Sequence, residues 1–250
     1  MAAARLFKHG AAAPFPLSRS KVELFADCPR CFYLDRRLGI ARPAGFPFNL
    51  NSAVDALLKR EFDDYRAKGK THPLMQEAGI NAVPYAHPEL ETWRNNFRGV
   101  RTVHEASGLE LFGAIDDVWR DLDSGDLIVA DYKSTSKSSE VTLDAEWQVS
   151  YKRQMEFYQW LLRRRGHPVA RRGWFVYCNG QRDRPAFEGR LEFTIKLIPY
   201  DGDDGWVEET LARIRDTLAA PEPPSASPDC EYCMFAARAS RAGDPGSDST

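Results

Sequence analysis

The sequence has no long hydrophobic run, and this absence bears on where the protein works. No stretch approaches the roughly 18 to 20 apolar residues of a membrane-spanning helix, and residues 1–15 lack the apolar core of a secretory signal. The expectation is a cytoplasmic protein with no membrane partner. With 43% hydrophobic residues among 250, the chain is still long enough to bury one sizeable core.

An excess of positive charge is also missing. The 34 Lys and Arg residues face 36 Asp and Glu residues, so the formal net charge is -2 at pH 7. A protein that coats nucleic acid without sequence preference usually carries a strong basic field. Any polyanion site in this chain must therefore be a local patch, and a nonspecific DNA-coating protein is disfavoured.

Cysteine is scarce: the chain has five, and five cysteines in a chain expected to be cytosolic argue against a disulfide framework. Four of them form two pairs with the spacing of metal ligands, Cys28 with Cys31 and Cys230 with Cys233. A metal shared by both pairs would restrain a very long loop of the unfolded chain. The pattern predicts a four-thiolate site for zinc or an iron-sulfur cluster, and Cys178 is expected to be an ordinary strand residue.

What the chain does contain is a hairpin pattern that ends in charged residues. Residues 113–133 alternate apolar and polar side chains, break at residues 123–126 and resume with an apolar run, which predicts two strands joined by a turn. Asp131 and Lys133 are two apart and point to the same face, and Asp116 is predicted on the neighbouring strand. Two carboxylates beside a lysine would bind a hard divalent cation and stabilise developing negative charge, which indicates phosphodiester chemistry.

This arrangement resembles the PD-(D/E)XK nuclease superfamily, in which an Asp on one strand, an (Asp/Glu)-x-Lys on the next and a following helix form the active site. The matching residues are Asp116, Asp131 and Lys133. Gln154 and Tyr158 add the Gln-x-x-x-Tyr pattern of the RecB-like branch and lie one helical turn apart. The resemblance implies an α/β fold, a restriction-endonuclease-like core with a central mixed β-sheet flanked by helices, whose N- and C-terminal segments are clasped by the four-cysteine site.

The resemblance also implies roles. Asp116 and Asp131 would hold Mg2+ or Mn2+, assisted by the backbone carbonyl of Tyr132. Lys133 would position the attacking water or stabilise the developing charge, and the Gln-x-x-x-Tyr pair would orient this lysine or the substrate phosphate. Asp55 occupies the approximate place of a histidine ligand in the resembled nucleases. Its residue type leaves two readings open, a metal ligand or a solvated acid in the first helical turn.

Iron-sulfur members of the RecB-like branch combine one N-terminal cysteine with three C-terminal ones, whereas this chain has two at each end. Cys28 stands in the expected place, and Cys31 replaces the missing third C-terminal cysteine. On the resemblance alone, a 4Fe-4S cluster is favoured, with Zn2+ as the alternative.

Five basic residues are candidates for a DNA path. One lies in a polar loop after the hairpin, and four are arginines near the end of the following helix, where a basic patch would contact phosphates. A solvated charged face is the alternative. The candidates are Lys137, Arg163, Arg164, Arg171 and Arg172.

The sequence therefore predicts a metal-dependent DNA nuclease, expected to be an exonuclease on single-stranded DNA in repair, recombination or CRISPR-type processing. A protein partner in a repair or CRISPR complex is a further expectation. The alternative is a nuclease-fold module that binds DNA or a protein without cutting and keeps a structural zinc or iron-sulfur site.

The predicted organisation is a single nuclease-like domain, 18–238, between a flexible N-terminus, 1–17, and a disordered tail, 239–250. Segments 18–35 and 221–238 would form the cysteine clasp, and 50–200 the catalytic core. Apolar periodicity predicts the remaining elements. These are helices over 52–68, 89–103, 144–165 and 206–218, and strands over 173–179 and 190–199.

Overall fold

A computed structural model of the chain describes residues 5–10, 14–45 and 49–242. Over these ranges no helix combines the length and the apolarity that crossing a bilayer requires. In chain order the elements are β1 (Phe15–Ser18), α1 (Arg19–Asp27), α2 (Pro29–Leu38), α3 (Asn49–Lys68), α4 (Pro73–Glu77), β2 (Ala82–Pro84), α5 (Leu90–Trp93), β3 (Val100–His104), β4 (Leu109–Gly113), β5 (Asp117–Asp121), β6 (Leu127–Thr135), a 3-10 helix (Glu146–Gln148), α6 (Val149–Arg164), β7 (Arg172–Gly180), β8 (Phe193–Asp201), α7 (Trp206–Ala219) and α8 (Glu231–Ala242).

The chain divides into two compact units. The first comprises Met1–Gly45, Val103–Leu111 and Trp206–Thr250, and the second comprises Phe46–Thr102 and Phe112–Gly205. The first unit contains α1, α2, α7 and α8 and most of a three-stranded sheet of order β1-β4-β3. Helices α1 and α2 pack against α7, which buries the apolar face that periodicity predicted. The buried residues of α7 are Val207, Leu211, Ile214 and Leu218.

The second unit is built on a five-stranded sheet of order β2-β5-β6-β7-β8. Strands β6 and β7 are parallel, whereas the other neighbours are antiparallel. A parallel pair needs a crossover, and α6 supplies it between β6 and β7. The predicted α/β fold with a central mixed sheet flanked by helices is thus confirmed.

Helices cover both faces of β6. On one face Tyr132 contacts Phe62 of α3 at a ring-centre distance of 5.6 Å, and Phe62 stacks on Trp119 of β5 at 5.6 Å. Successive strand residues point to opposite faces, so Lys133 points to the other face, where it reaches Gln154 of α6. Burial on both faces explains why β6 reads as a continuous apolar run at its start.

The helix predicted over 89–103 is wrong beyond its first turn. Only α5 is helical, because the Asn95 side chain accepts hydrogen bonds from the backbone amides two and three residues later, at 2.9 and 3.0 Å, and so forms a turn. Gly99 then adopts φ +60°, and a Cβ there would lie 2.3 Å from the carbonyl oxygen of Gly113. The chain turns at this glycine and continues as β3.

The other predicted elements are confirmed with shifted ends. Helix 52–68 begins earlier, as α3, and helix 144–165 begins later, as α6 behind a 3-10 turn. The strand predicted over 190–199 begins at Phe193. Of the predicted tail 239–250, residues up to Ala242 end α8, and residues 243–250 lie outside the described part of the chain.

Candidate active site and cysteine cluster

Strand β6 carries the two central residues of the predicted site. Asp131 is fully buried, and a buried carboxylate needs a partner to remain charged. That partner is Lys133, whose Nζ is paired with Asp131 Oδ2. The lysine side chain is 13% exposed, so the ion pair is largely shielded from solvent.

Helix α6 holds this pair through one amide group. Gln154 Nε2 donates to Asp131 Oδ1 at 2.8 Å and to the hydroxyl of Tyr158 at 3.2 Å. Its Oε1 accepts from Lys133 Nζ at 3.4 Å. The structure therefore brings together four residues that the sequence analysis selected from separate segments, and the glutamine orients both the carboxylate and the lysine.

Asp116 lies one residue before β5, whereas the sequence analysis placed it on the strand. In the β5–β6 register Asp117 pairs with Ala130, so the next step of the ladder would place Asp116 opposite Asp131. Its Oδ2 accepts the backbone N–H of Tyr132 at 3.0 Å. Because the Asp116 side chain is 22% exposed, this edge of the site is open to solvent.

Sequence reasoning missed Lys59, which stands between the two remaining acids. Its Nζ donates to Asp55 Oδ2 at 2.8 Å and to Asp116 Oδ1 at 3.3 Å. Burial would lower the pKa of Lys59, but the neighbouring Asp116 and Asp55 carboxylates raise it above its ordinary value. The sequence does contain a signal for the Asp55–Lys59 ion pair, because residues four apart on a helix lie on the same face. Asp55 reaches Asp116 through this lysine, and its role as a metal ligand stays a prediction.

A buried network of charged side chains holds the backbone at Asp116 in place. Asp117 is fully buried and accepts hydrogen bonds from Arg66 Nη2 at 2.5 Å and Arg94 Nη2 at 3.2 Å. It also accepts from the hydroxyl of Tyr132 at 2.7 Å. Burial and the Asp117 charge raise the pKa of that hydroxyl well above its usual value. Arg94 Nε donates to the backbone carbonyl of Asp116 at 3.0 Å, so the network fixes the backbone that carries this carboxylate.

The donor set fits a divalent ion such as Mg2+. Magnesium is typically held by one or two carboxylates, with water and substrate phosphate as the other ligands. Asp116 and Asp131 are two such carboxylates on adjacent segments, and the Tyr132 carbonyl is a further oxygen. In the described ranges, no third carboxylate gathers with them within metal-ligand distance.

The four paired cysteines come together in the first unit, as predicted. The Sγ atoms of Cys31 and Cys230 are 3.5 Å apart, and those of Cys31 and Cys233 are 3.6 Å apart. Cys28 Sγ lies 3.8 Å from Cys233 Sγ, and all four sulfurs are within 4.8 Å of one another. Cys178 is not among them; burial and Glu61 raise the pKa of its thiol to about 11.

The surroundings favour the thiolate at Cys28, whereas burial raises the pKa of the Cys31 and Cys233 thiols. Burial would raise the pKa of Cys28, but backbone hydrogen bonds at Ser227 and Cys31 lower it to about 6. Arg42 Nη2 donates to Cys230 Sγ at 3.6 Å. A cationic guanidinium next to four sulfurs offsets part of their negative charge.

Two of the arginines predicted for a DNA path have acidic partners. Arg163 Nη1 donates to Asp204 Oδ2 at 2.5 Å, and Arg172 forms two 2.8 Å bonds to Asp201. Arg164 lies over the Trp160 ring at 5.8 Å. The backbone carbonyl of Arg171 accepts from Gln159 Nε2 at 2.9 Å. Their contact with DNA stays a prediction, whereas Lys137 lies over the exposed ring of Trp147.

A known protein family matches most of the chain. A family model described as the PD-(D/E)XK nuclease superfamily matches residues 16–238. No curated protein matches the chain. One solved structure, titled "Crystal structure of SSO0001", is 17% identical with a TM-score of 0.42, and the alignment covers 91% of this chain and 86% of that one.

Proposed function

The chain belongs to the PD-(D/E)XK nuclease superfamily, and on that premise we propose that Asp116, Asp131 and Lys133 form its catalytic centre. Membership makes the protein a metal-dependent nuclease whose substrate is nucleic acid. One observation carries the site assignment: Gln154 bonds both Asp131 and Lys133, while Asp116 is held to the same strand by the amide of Tyr132.

The bound divalent ion would supply Lewis-acid polarisation of the phosphate. Asp116 and Asp131 would hold it, with the Tyr132 carbonyl as a further oxygen. The Lys133 ammonium has three N–H donors, and two are directed at Asp131 Oδ2 and Gln154 Oε1. The third would donate to the attacking water or to a phosphoryl oxygen, where negative charge develops.

The finer assignment is a deoxyribonuclease that shortens single-stranded DNA from an end, in repair, recombination or CRISPR-type processing. Support for this comes from the resemblance of the Gln154-x-x-x-Tyr158 pattern to the RecB-like branch. The acidic pI of about 6.2 agrees with a local contact surface rather than a general affinity for polyanions.

The test uses purified protein, Mn2+ and end-labelled single-stranded DNA. Asp131→Ala and Lys133→Ala are each expected to slow cleavage by at least about 100-fold. Lys196→Ala, which removes an exposed lysine from β8, is the matched control and should cleave at the unsubstituted rate. Full activity of Asp131→Ala and Lys133→Ala would refute the site assignment. Cleavage rates on duplex DNA and on RNA of the same sequence define the substrate class.

A second candidate is a nuclease-fold module that binds nucleic acid without cutting it. The observation in its favour is the ammonium of Lys59, which lies 3.3 Å from Asp116 Oδ1 and adds positive charge beside the proposed metal ligand. This candidate predicts that labelled DNA is bound but keeps its length in both Mg2+ and Mn2+.

For the cysteine cluster we propose a single Zn2+ ion. Zinc–sulfur bonds of about 2.3 Å in a tetrahedron place the sulfurs about 3.8 Å apart, and the observed separations of 3.5, 3.6 and 3.8 Å suit that arrangement. In a 4Fe-4S cluster each thiolate binds a different iron, so the sulfurs stand farther apart. The spacing thus supports the zinc alternative over the cluster favoured by resemblance.

Protein purified without oxygen tests the metal assignment. Zinc at about one ion per chain in a colourless preparation is expected from four ligands around one ion. A brown preparation that contains iron and inorganic sulfide would overturn it.

A further inference from the structure

Two aromatic rings lead from Lys133 to the protein surface. The Lys133 Nζ lies 4.6 Å from the centre of the Tyr151 ring. That ring meets the Trp147 ring edge to face, at a distance of 5.2 Å and an angle of 84°. Trp147 is 51% exposed, and Lys137 Nζ lies 5.0 Å from its ring centre. An exposed indole with an ammonium beside it therefore stands one ring away from the active-site lysine.

The backbone around this tryptophan is held in place. Trp147 lies in the 3-10 helix before α6, and the next residue, Gln148, is fully buried. The Gln148 side chain accepts the N–H of Ala145 at 2.9 Å and donates to the carbonyl of Thr142 at 2.7 Å. The backbone N–H and C=O of Lys137 both bond one asparagine side chain of β7, at 2.8 and 3.0 Å. The ring and the ammonium are thus presented by fixed segments.

Such a surface is suited to a ligand with a flat face and negative charge. A large ring left half exposed gives up hydrophobic stabilisation that a partner could restore by covering it. The ammonium of Lys137 lies beside the outer ring, so a ligand that also carries anionic groups is favoured. A nucleotide offers both, because its base is a flat π surface and its phosphate is charged.

We propose that Trp147 is a stacking platform for an unpaired base of the strand that enters the active site, and that Lys137 contacts a phosphate of the same strand. The ligand class is single-stranded nucleic acid. In a duplex each internal base is already stacked on both faces, so it has no face to offer the indole, whereas an unpaired base does. The inference rests on the proposed nuclease function for the path of the strand, but binding can be measured apart from cleavage.

The test is fluorescence anisotropy with labelled oligothymidine in buffer without divalent ions. Trp147→Ala should weaken binding by about tenfold, in the range found when stacking side chains are replaced by alanine. Trp147→Phe keeps a flat ring and should bind within about threefold of the unsubstituted chain. Phe97→Ala, which removes an aromatic ring that is 87% exposed, is the control and should bind unchanged.

An oligonucleotide of abasic sites separates stacking from charge. It retains the phosphates, so the unsubstituted chain and Trp147→Ala should bind it equally. Oligothymidine binding that is absent, or unaffected by Trp147→Ala, would overturn the proposal, as would an equal loss on the abasic strand. Thermal unfolding followed by circular dichroism shows that each variant is folded.

Failure of the Trp147 proposal can be distinguished from failure of the nuclease proposal. If Mn2+-dependent cleavage is present but Trp147→Ala binds oligothymidine normally, the platform is refuted and the nuclease stands. If Trp147-dependent binding is present without cleavage, the platform is supported and the nuclease assignment fails.

Discussion

At the scale of single residues, the charge around Asp116 decides how it can bind a metal. One carboxylate oxygen accepts the amide of Tyr132 at 3.0 Å, and the other accepts the ammonium of Lys59 at 3.3 Å. A divalent ion at that second oxygen would lie close to the ammonium, and like charges at such distances repel. Lys59 therefore competes with the ion, while its bond to Asp55 keeps it close.

Replacing Lys59 by methionine should strengthen metal binding. With the competing charge removed, Mn2+ affinity is expected to rise by about tenfold, whereas Lys59→Arg keeps the charge and should leave it near the original value. Titration calorimetry with Mn2+ measures both. Weaker Mn2+ binding by Lys59→Met would mean that the lysine supports the metal site instead.

Gln154 should matter for turnover more than for substrate affinity. Gln154→Leu removes the amide that orients Asp131 and Lys133, so kcat is expected to fall by about 10- to 100-fold while KM changes little. Gln76→Leu on the exposed face of α4 is the control. A large rise in KM with unchanged kcat would indicate that Gln154 binds substrate directly.

The residues of the site differ in how far the sequence predicts them. Asp131 and Lys133 share a strand face because their spacing is two, and Gln154 pairs with Tyr158 because their spacing is four. These relations are local. The contact between Lys59 and Asp116 depends on how α3 packs against the sheet. Local sequence patterns do not predict that packing.

At the scale of elements, hydrogen bonds to one aspartate join α3 to Arg94, the residue that follows α5. Asp63 of α3 accepts from Arg66 at 3.0 Å and from Arg94 at 2.8 and 2.9 Å. Burial would raise the pKa of Asp63, but the two guanidinium groups lower it below its ordinary value. A carboxyl whose folded pKa is depressed stabilises the fold above its unfolded pKa, and this stabilisation is lost as pH falls through the folded value.

This linkage predicts the response of the fold to acid. Between about pH 5 and pH 3, the unsubstituted chain should lose more of its unfolding free energy than Asp63→Asn, which cannot titrate. Urea unfolding at several pH values measures the difference. Glu77→Gln, at an exposed acid of α4, should follow the unsubstituted chain, and identical pH profiles for all three proteins would contradict the assignment.

Elements governed by local chemistry were predicted well. The turn between β5 and β6 is an example. Asp121 Oδ1 accepts hydrogen bonds from the backbone amides of Asp123 and Ser124 at 2.9 Å each, and aspartate favours turns of this kind. Strand β2 was not predicted, since its three residues lie in a proline-containing loop and become a strand only by pairing with β5. Such edge strands depend on a partner distant in sequence.

At the scale of the whole molecule, the cysteine cluster joins segments about 200 residues apart in sequence. The spacing of each pair predicted the gathering, since paired thiols two residues apart suit metal ligation. The identity of the metal could not be read from spacing, because four thiolates suit zinc and iron-sulfur clusters alike. The zinc proposal therefore rests on the distances between the sulfurs, and metal analysis of the purified protein tests it.

Loss of one ligand should therefore destabilise the fold. Cys230→Ser is expected to lower the zinc content and to reduce Tm by at least about 10 °C, because metal binding energy contributes to folding. Cys178→Ser, at the buried cysteine outside the cluster, is the control and should keep its zinc. Normal zinc content in Cys230→Ser would exclude this residue as a ligand.

In the proposed active site, Asp116 and Asp131 hold one divalent ion beside Lys133. The most direct measurement is anomalous diffraction from crystals grown with Mn2+. We expect a peak about 2.1 Å from a carboxylate oxygen of each aspartate, with Lys133 Nζ facing the same side. A peak on Asp55 alone, or none near β6 in protein that cleaves DNA with Mn2+, would contradict it.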